Sequence, residues 1–342
     1  MNIIKTSNKI NLKFTKSSPI LFSCSSGYNF YTHNHSQINI FNKSRNIIRH
    51  IKSEELFYYI EFPTDFSNKI DLDFWIQIIR KPPNMHNFIW PSDIVQLPGS
   101  TNKSCPFALV FSVKSFSDYQ NFHTIINNES NLDWQNIIIK KIIRNLLDTF
   151  IDFYRLNYAF HEFNINNISY QKNNLNILFD FSFSIQNLKN LYDKVIVNEK
   201  QINPDFADSY YYRVERSNYM DLASDYFSIA SILFKLMIGR LPYQGSILDD
   251  VVNGNEKDHQ NWIKTYHKNP IFIFDETDIS NHIGDFSHEE IFYGKWMKLP
   301  NNIKKMFSEV FATKNVLRKT EKLIFYSPNE WKVALEPILN TN

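Results

Sequence analysis

The spacing of apolar residues divides the chain into a front part with the pattern of strands and a back part with the pattern of helices. In the front part, short apolar runs alternate with polar Ser and Asn stretches, which is typical of antiparallel strands joined by turns. These runs are Ile10–Phe14, Ile20–Ser23, Tyr28–His33, Gln37–Phe41, a strand within Ile89–Leu97 and the near-continuous Phe107–Val113. The pattern predicts a small antiparallel sheet.

One helix is predicted within this front part. Ser53 is a suitable N-cap residue, and Glu54 and Glu55 follow it where acidic side chains favour the first turn of a helix. The apolar run Leu56–Ile60 supplies a face that such a helix would bury. We therefore expect a helix that starts at Ser53 and includes Leu56–Ile60.

The back part has the periodicity of helices. Within Leu132–Leu156, apolar residues recur at 139, 142, 143, 146, 147, 150, 151 and 154, a period of about 3.6. Ser224–Met237 is apolar all round, which predicts a buried helix, and Gly239 and Pro242 follow where they would end it. Further helical patterns lie at Asn302–Phe311 and Pro328–Leu339. Together the two parts predict an α+β protein.

Composition and charge narrow the possible partners. The 342 residues are 43% hydrophobic and 16% aromatic, which is the composition of a globular protein with a sizeable core. A net charge of +2 gives no reason to expect a nucleic-acid or membrane-surface partner. Two cysteines, Cys24 and Cys105, are too few for a disulfide framework, and we find no signal peptide or membrane-spanning run. We expect a cytoplasmic protein.

The stretch Tyr158–Ser184 carries the candidate chemistry. Its pattern predicts a short loop and a β-hairpin, after which Asp180 follows the second strand. Glu162 and Asn167 are five positions apart, and Asp180 comes thirteen positions after Asn167. Protein kinases use this spacing to bring a base, a metal-binding amide and a metal-binding carboxylate to one phosphate. Alternatively, Asp180 is a turn residue and Glu162 a solvated loop carboxylate.

Several segments in order make the chain resemble a protein kinase, and in particular bacterial serine/threonine-kinase-like proteins. They are FIWPSDIV (88–95), FALVFSV (107–113), YAFHEFNINNIS (158–169), LFDFS (178–182), NPDFADSYY (203–211), ASDYFSIASILFKLMIGRLPYQG (223–245) and SPNEWKVAL (327–335). The resemblance implies a two-lobed fold with a nucleotide cleft. Its N-lobe, with a small sheet and one helix, would span residues 1–113, its hinge 114–118 and its larger helical C-lobe 119–342.

The resemblance also implies roles for individual residues. Asn167 and Asp180 would bind Mg²⁺ with ATP, and Glu162 would occupy the position of the catalytic aspartate. Asn164 stands where such kinases usually carry a lysine, and Ser182 where they carry the glycine of Asp-Phe-Gly.

The front part departs further from the family. The best candidate for the glycine-rich phosphate loop is the segment Ser25, Ser26 and Gly27, which has a single glycine. Asn39 falls where the phosphate-binding lysine is expected, and Glu54 or Glu55 would be the helix carboxylate that pairs with that lysine. Without the lysine, either glutamate is simply an acidic residue at a helix start.

The end of the activation segment is altered as well. Ser209 and Tyr210 stand at the positions of a Pro-Glu pair, and Phe325 stands where its partner arginine is expected. A lone buried charge is costly, so we expect the ion pair to be replaced by a contact between Tyr210 and Phe325. Asp225 is kept, and the resemblance implies that it accepts hydrogen bonds from the catalytic-loop backbone.

Three functions follow from these residues. The joint losses favour a pseudokinase with little or no phosphotransfer, which would act by binding a protein partner and would retain some capacity for a nucleotide. The first alternative is a divergent, active serine/threonine-type kinase that uses Glu162 as its base. The second alternative is an interaction scaffold without nucleotide, in which side chains such as Phe22, Tyr28 or Phe30 fill the pocket.

Overall fold

The structure is a computed structural model in which the chain divides into two compact units. The first comprises Met1–Tyr119, Gln171–Asn173 and Leu178–Phe183, and the second comprises the remaining residues. The structure describes residues 20–23, 29–40, 43–50, 55–62, 72–84, 86–97, 107–113, 118–127, 132–160, 165–180, 186–187, 195–196, 204–210, 219–249, 263–283, 289–320 and 322–340.

Six antiparallel strands of the first unit form a closed barrel. They are β1 (Ile20–Ser23), β2 (Asn29–Ile40), β3 (Lys43–His50), β4 (Leu56–Glu61), β5 (Asp93–Gln96) and β6 (Phe107–Ser112). Their order is β1-β2-β3-β4-β6-β5, and β5 pairs back onto β1 through Phe22 opposite Gln96. The predicted small sheet is therefore present, and its two ends are joined.

Strand alternation gives the barrel two different faces. Ile48, Val95, Ala108 and Val110 are fully buried together, although they come from strands on different sides of the ring, so their face is the barrel interior. The alternate residues lie on the other face, and Phe62, which continues their alternation beyond β4, meets Trp75 of helix α1 (Leu72–Arg80) edge-on at 5.2 Å. The barrel is thus buried on its inside and, beside α1, on its outside.

The prediction of a helix that includes Leu56–Ile60 is wrong. These residues form β4, which pairs with β3 on one side and β6 on the other. The run Leu-Phe-Tyr-Tyr-Ile is rich in aromatic residues, which suit a strand, and two strand partners outweigh an N-cap signal. The described residues of the predicted strands Tyr28–His33 and Gln37–Phe41 are joined in one strand, β2, whose pairing shifts between Thr32 and Gln37. The predicted strand Ile10–Phe14 lies outside the described residues.

The second unit is mainly helical, as its periodicity predicted. Its helices are α2 (His123–Ile126), α3 (Ile137–Tyr154), α4 (Leu222–Ile238), α5 (Ser246–Asp249), a short helix at 263–268, α6 (Glu290–Met297), α7 (Asn301–Phe311), α8 (Thr313–Val316) and α9 (Pro328–Leu339). Two short ladders pair β8 (Tyr158–Ala159) with β11 (Gln186–Asn187) and β12 (Val195–Ile196) with β13 (Tyr219–Met220). None of the described helices is both long and apolar enough to cross a membrane.

Helix α4 is the centre of the second unit. Asp221 caps its N-terminus in a reciprocal capping box with Ser224, and Gly239 ends it at a left-handed φ of 96°. Phe234 in its middle lies 5.2 Å from Phe307 and 5.5 Å from Phe272, measured between ring centroids. The all-round apolar pattern of this segment is therefore explained by burial on every side.

A buried ion pair fixes the segment that leads into α4. The guanidinium of Arg318 lies 2.6 Å from Oδ2 of Asp208 and 3.7 Å from Oδ1 of Asp221. The same guanidinium lies over the rings of Tyr210, at 5.3 Å, and Phe325, at 4.7 Å. The expectation that aromatic residues replace the buried charges is therefore wrong, because Asp208 and Arg318 supply both charges.

Burial has the largest effect on the pKa of Asp208. The side chain of Asp208 is fully buried, and this desolvation raises its pKa from 3.8 to about 6, although Arg318 acts in the opposite direction. Arg318 itself has a left-handed φ of 54°, a conformation that a non-glycine residue keeps only when its surroundings enforce it. The geometry of this turn is thus tied to the ion pair.

Removal of the arginine should expose the cost of the buried carboxylate. We expect Arg318→Met to lower the free energy of unfolding by about 3–5 kcal/mol, since Asp208 loses its partner. The double variant Asp208→Asn/Arg318→Met should recover part of this loss. Arg155→Met is the control, because Arg155 is 72% exposed beside Asp152 and should lose less than about 1 kcal/mol. Urea unfolding measures all three, and equal losses in the two single variants would contradict the role of Arg318.

The raised pKa of Asp208 predicts a pH dependence. A folded-state pKa above the unfolded value contributes stability that is fully present below pH 3.8 and is lost as the pH rises through about 6. Wild type should therefore gain stability relative to Asp208→Asn when the pH falls from 7 to 4.5. The gain in the free energy of unfolding should be about 2 kcal/mol. Paired urea titrations at both pH values test this, and a constant difference between the proteins would refute it.

Candidate functional site

Asp180 is held at the end of a strand that is anchored from both sides. Strand β10 (Ile177–Phe179) places Phe179 beside the segment after α1, where Phe179 N donates to Asn87 O and Ile89 N donates to Phe179 O, both at 2.8 Å. The rings of Phe179 and Phe88 stack with centroids 5.4 Å apart. Asp180 follows directly and is only 3% exposed. Its backbone position is therefore determined by neighbours within the first unit.

The same segment is attached to helix α1. The indole N–H of Trp90 donates to the carbonyl oxygen of Ile78 at 2.9 Å, and the rings of Trp90 and Phe88 meet edge-on. Helix α1, residues 87–90 and the strand before Asp180 thus form one connected arrangement.

Asn167 lies in the second unit at the end of a short 3-10 turn, Ile165–Asn167. Buried isoleucines on either side, Ile165 and Ile168, fix this turn, and Phe122 N donates to Ile168 O at 2.9 Å. The Asn167 side chain is half-buried. Strand β9 (Ile168–Gln171) starts directly after it and forms the predicted hairpin with β10, with β7 (Tyr119–Asn121) beside β9.

Asp225 supports the chain just ahead of the candidate loop. Its Oδ2 accepts a hydrogen bond from Phe160 N and another from the Tyr154 hydroxyl, each at 2.8 Å. Burial and the negative charge of Asp225 hold the pKa of Tyr154 well above its usual value, so the hydroxyl remains a donor. The predicted scaffold role of Asp225 is confirmed at Phe160, two residues before Glu162.

Asp180 and Asn167 carry the types of oxygen donor that a hard divalent cation takes. Carboxylate and amide oxygens are protein ligands of Mg²⁺, usually with substrate phosphates completing its shell. Asp180 belongs to the first unit and Asn167 to the second. Among the described residues, no group of three or more His, Cys, Asp or Glu side chains could hold a metal ion unaided.

The other predicted site residues are only partly described. Asn39 lies on β2, where it pairs with Ser44 of β3. Glu55 is exposed and comes directly before β4, so it is not at a helix start. The remaining candidates lie outside the described residues: Ser25, Ser26, Gly27, Glu54, Glu162, Asn164 and Ser182.

Sequence reasoning missed three features of the fold. Helix α1 carries an apolar face through Trp75 and Ile78, a pattern that could have shown it to be a helix of the first unit. Arg49 is a buried cation on β3, 5% exposed. The third feature is the Asp208–Arg318 pair, which joins residues 110 positions apart and has no local signal.

Comparisons with known proteins support the fold alone. No known family profile matches the sequence, and no curated protein matches it. Among solved structures, the chain is similar to the twitchin kinase region of C. elegans, with a TM-score of 0.50 and 12% sequence identity. That match covers 87% of this chain and 44% of the twitchin chain. At this identity the similarity is one of fold, and this chain has a kinase-like α+β fold.

Proposed function

We propose that this chain is a pseudokinase, which acts by binding a protein partner and retains a site for a nucleotide and Mg²⁺ but little or no phosphotransfer. The observation that carries the proposal is the composition of β4. Protein kinases place a phosphate-binding lysine on the strand before the helix, where it pairs with a helix glutamate. The strand before α1 is β4, and its sequence Leu-Phe-Tyr-Tyr-Ile-Glu contains no basic residue.

Aromatic packing takes the place of that lysine. Tyr58 in β4 is fully buried, and its ring stacks on Phe111 of β6 with centroids 5.1 Å apart and an angle of 12° between the planes. Phe111 lies opposite Tyr58 in the strand register. A stacked aromatic pair gains apolar burial but offers no positive charge to a phosphate. This part of the sheet is therefore built for packing.

The helix partner of the lysine is missing as well. The acidic side chain of α1 is Asp73, which is exposed in its first turn, whereas Trp75 and Ile78 are buried. An isolated buried carboxylate would be costly, so loss of the lysine removes the reason to keep a glutamate on the buried face of the helix. Both members of the family's ion pair are thus absent from β4 and α1.

The residues at the candidate catalytic loop also favour a loss of phosphotransfer. Glu162 is a carboxylate one methylene longer than the family's aspartate, and a displacement of a catalytic group by about 1 Å can cost about 10²-fold in rate. Asn164 offers no charge to a transferred phosphoryl group. General-base assistance is typically worth about 10²–10⁴-fold. Loss of the lysine, the longer side chain of Glu162 and the missing charge at Asn164 would together account for a protein that has kept the fold and lost the reaction.

The retained residues would serve binding. Asn167 and Asp180 would hold the cation, and bound Mg²⁺ would neutralise part of the phosphate charge. Asp225 would keep the backbone of Phe160 in position. A scaffold that binds no nucleotide is the second candidate, and the buried Tyr58–Phe111 stack is the observation that favours it.

Nucleotide binding is tested first by thermal unfolding. ATP with Mg²⁺ should raise the melting temperature, since a ligand at 100 times its Kd adds about 2.7 kcal/mol to stability. Asp180→Asn should remove the Mg²⁺-dependent part of the shift, because the amide binds the cation less strongly than the carboxylate. Asp73→Asn is the matched control, as Asp73 is an exposed carboxylate of the same unit. No shift at millimolar ATP would leave only the scaffold.

Phosphotransfer is tested separately with radiolabelled ATP. We expect incorporation into the protein itself and into a generic protein substrate to stay at background. A rate above background that falls by about 10²-fold or more in Glu162→Gln would establish a general base at that position. Such a result would replace the pseudokinase with the divergent active kinase.

A further inference from the structure

Exposed apolar side chains of the second unit are concentrated in two segments. Among the described residues, seven large hydrophobic side chains are exposed, and five of them lie at the start of α3 or on α6. These five are 47% to 62% exposed: Ile137, Ile138, Ile291, Tyr293 and Met297. Single exposed apolar residues are normal on a protein surface, whereas a cluster of them marks a site of contact.

The two segments meet at Trp134. Its indole N–H donates to the carbonyl oxygen of Lys295 in α6 at 3.2 Å, and Nζ of Lys295 donates to Leu132 O at 2.5 Å. Ile137 follows Trp134 by three residues, and Met297 follows Lys295 by two. The start of α3 and the end of α6 therefore adjoin. We call their exposed residues the α3–α6 surface: Ile137, Ile138, Ile291, Tyr293, Gly294 and Met297.

A glycine leaves an opening in this surface. Gly294 lies three residues after Ile291 and three before Met297, so it stands between them on one side of α6. A Cβ added at Gly294 would meet no neighbouring atom within 4 Å, so a larger side chain would fit. Glycine inside a helix is destabilising relative to alanine. The packing of the chain therefore gives no reason for a glycine at this position.

Lysines adjoin the same surface. Lys298 follows Met297 and is exposed, and Nζ of Lys304 donates to Met297 O at 2.9 Å. On α3, the exposed Lys141 lies one turn after Ile137 and on the same side of the helix. Positive charge is thus placed next to exposed apolar groups at the end of α6 and at the start of α3.

The acidic residues of these segments are placed differently. Glu290 is exposed at the opposite end of α6, and Oδ1 of Asp133 accepts a hydrogen bond from Gln135 N at 2.9 Å. The end of the surface that carries the lysines therefore has an excess of positive charge. Such a surface is complementary to a segment that combines apolar and acidic side chains.

We propose that the α3–α6 surface binds a short segment of a partner protein in which apolar side chains are flanked by aspartate or glutamate. One apolar side chain of the partner would enter the opening at Gly294. Its carboxylates would face Lys141, Lys298 and Lys304. The inference rests on the proposed function, since it assumes that the protein acts by binding a partner, but it does not depend on the nucleotide.

Two other occupants fit this surface less well. In a symmetric dimer of this chain the surface would face itself, so the lysines of one copy would oppose those of the other. An anionic membrane would attract the lysines, but a net charge of +2 gives the protein little general attraction to it. A lipid surface also gives no reason for the opening at Gly294.

Selection from a displayed library of random peptides tests the chemistry of the partner segment. Peptides selected on wild type and counter-selected on Ile138→Ser/Met297→Ser should be enriched in acidic and apolar residues. Their Kd should be about 10-fold or more higher for this double variant than for wild type, since buried apolar anchors dominate interfaces. Val333→Ser is the control, because Val333 is 64% exposed on α9, and its Kd should stay within about twofold.

Gly294→Gln separates binding from folding. Glutamine is a better helix former than glycine, so this variant should melt at a higher temperature than wild type. Its side chain would fill the opening, and the selected peptides should bind about 10-fold more weakly. A protein that is more stable and binds less well cannot owe the loss to unfolding. Gly294→Ala should gain stability too and lose less affinity.

The lysines are tested by the salt dependence of peptide binding. Wild type should lose affinity for the acidic peptides as sodium chloride is raised, because salt screens exposed charges. Lys141→Gln/Lys298→Gln should bind more weakly at low salt and depend less on salt than wild type. Lys314→Gln is the control for charge, as Lys314 is exposed on α8.

Several outcomes would overturn the proposal. One is that the selected peptides lack acidic residues, or that none depends on the surface. Another is a wild-type dimer that Ile138→Ser/Met297→Ser dissociates in sedimentation equilibrium, which would make the surface a contact between copies. A third is binding to vesicles of phosphatidylserine and phosphatidylcholine that this variant loses.

These failures are distinct from a failure of the nucleotide site. The surface variants should keep any thermal shift that wild type shows with ATP and Mg²⁺, because the surface residues lie outside the residues proposed to hold them. If that shift persists while the peptides do not bind, the inference on the surface fails alone. If the peptides bind and wild type shows no shift, only the nucleotide part of the proposed function fails.

Discussion

A single carboxylate oxygen, Oδ2 of Asp225, connects three segments of the second unit. It accepts hydrogen bonds from the backbone of Phe160 and from the hydroxyl of Tyr154, so it joins the start of helix α4 to the end of helix α3 and to the chain at Phe160. The carboxylate is buried, and these donors compensate for its burial. Because α4 is packed on every side, Phe160 is tied directly to the core of the second unit.

The buried charges of the second unit are paired. Asp225 accepts hydrogen bonds from Phe160 and Tyr154, and Asp208 and Arg318 form an ion pair at 2.6 Å. Loss of one partner would leave a buried charge without compensation and would cost folding free energy. Under the proposed function, loss of a catalytic charge costs only rate, so the fold can outlast the reaction.

The sequence predicted the helices of the second unit well because their signals are local. Periodicity and capping residues placed α4 and α9 within a residue or two, and Pro328–Leu339 matches in full. The first unit was harder to predict. Ser53 has the signal of a helix start, yet the residues after it form strand β4, because β4 pairs with β3 and β6 and such pairing cannot be read from the local sequence. The Asp208–Arg318 pair was missed for the same reason.

Closure of the barrel has a consequence for how partners can recognise the first unit. An open sheet presents an edge strand whose free N–H and C=O groups can accept a further strand from another chain. Here β1 pairs with both β2 and β5, and it covers their edges at Asn29–Tyr31 and at Val95–Gln96. Strand addition, a common and sequence-tolerant way to dock a peptide or to aggregate, is thereby blocked at these positions.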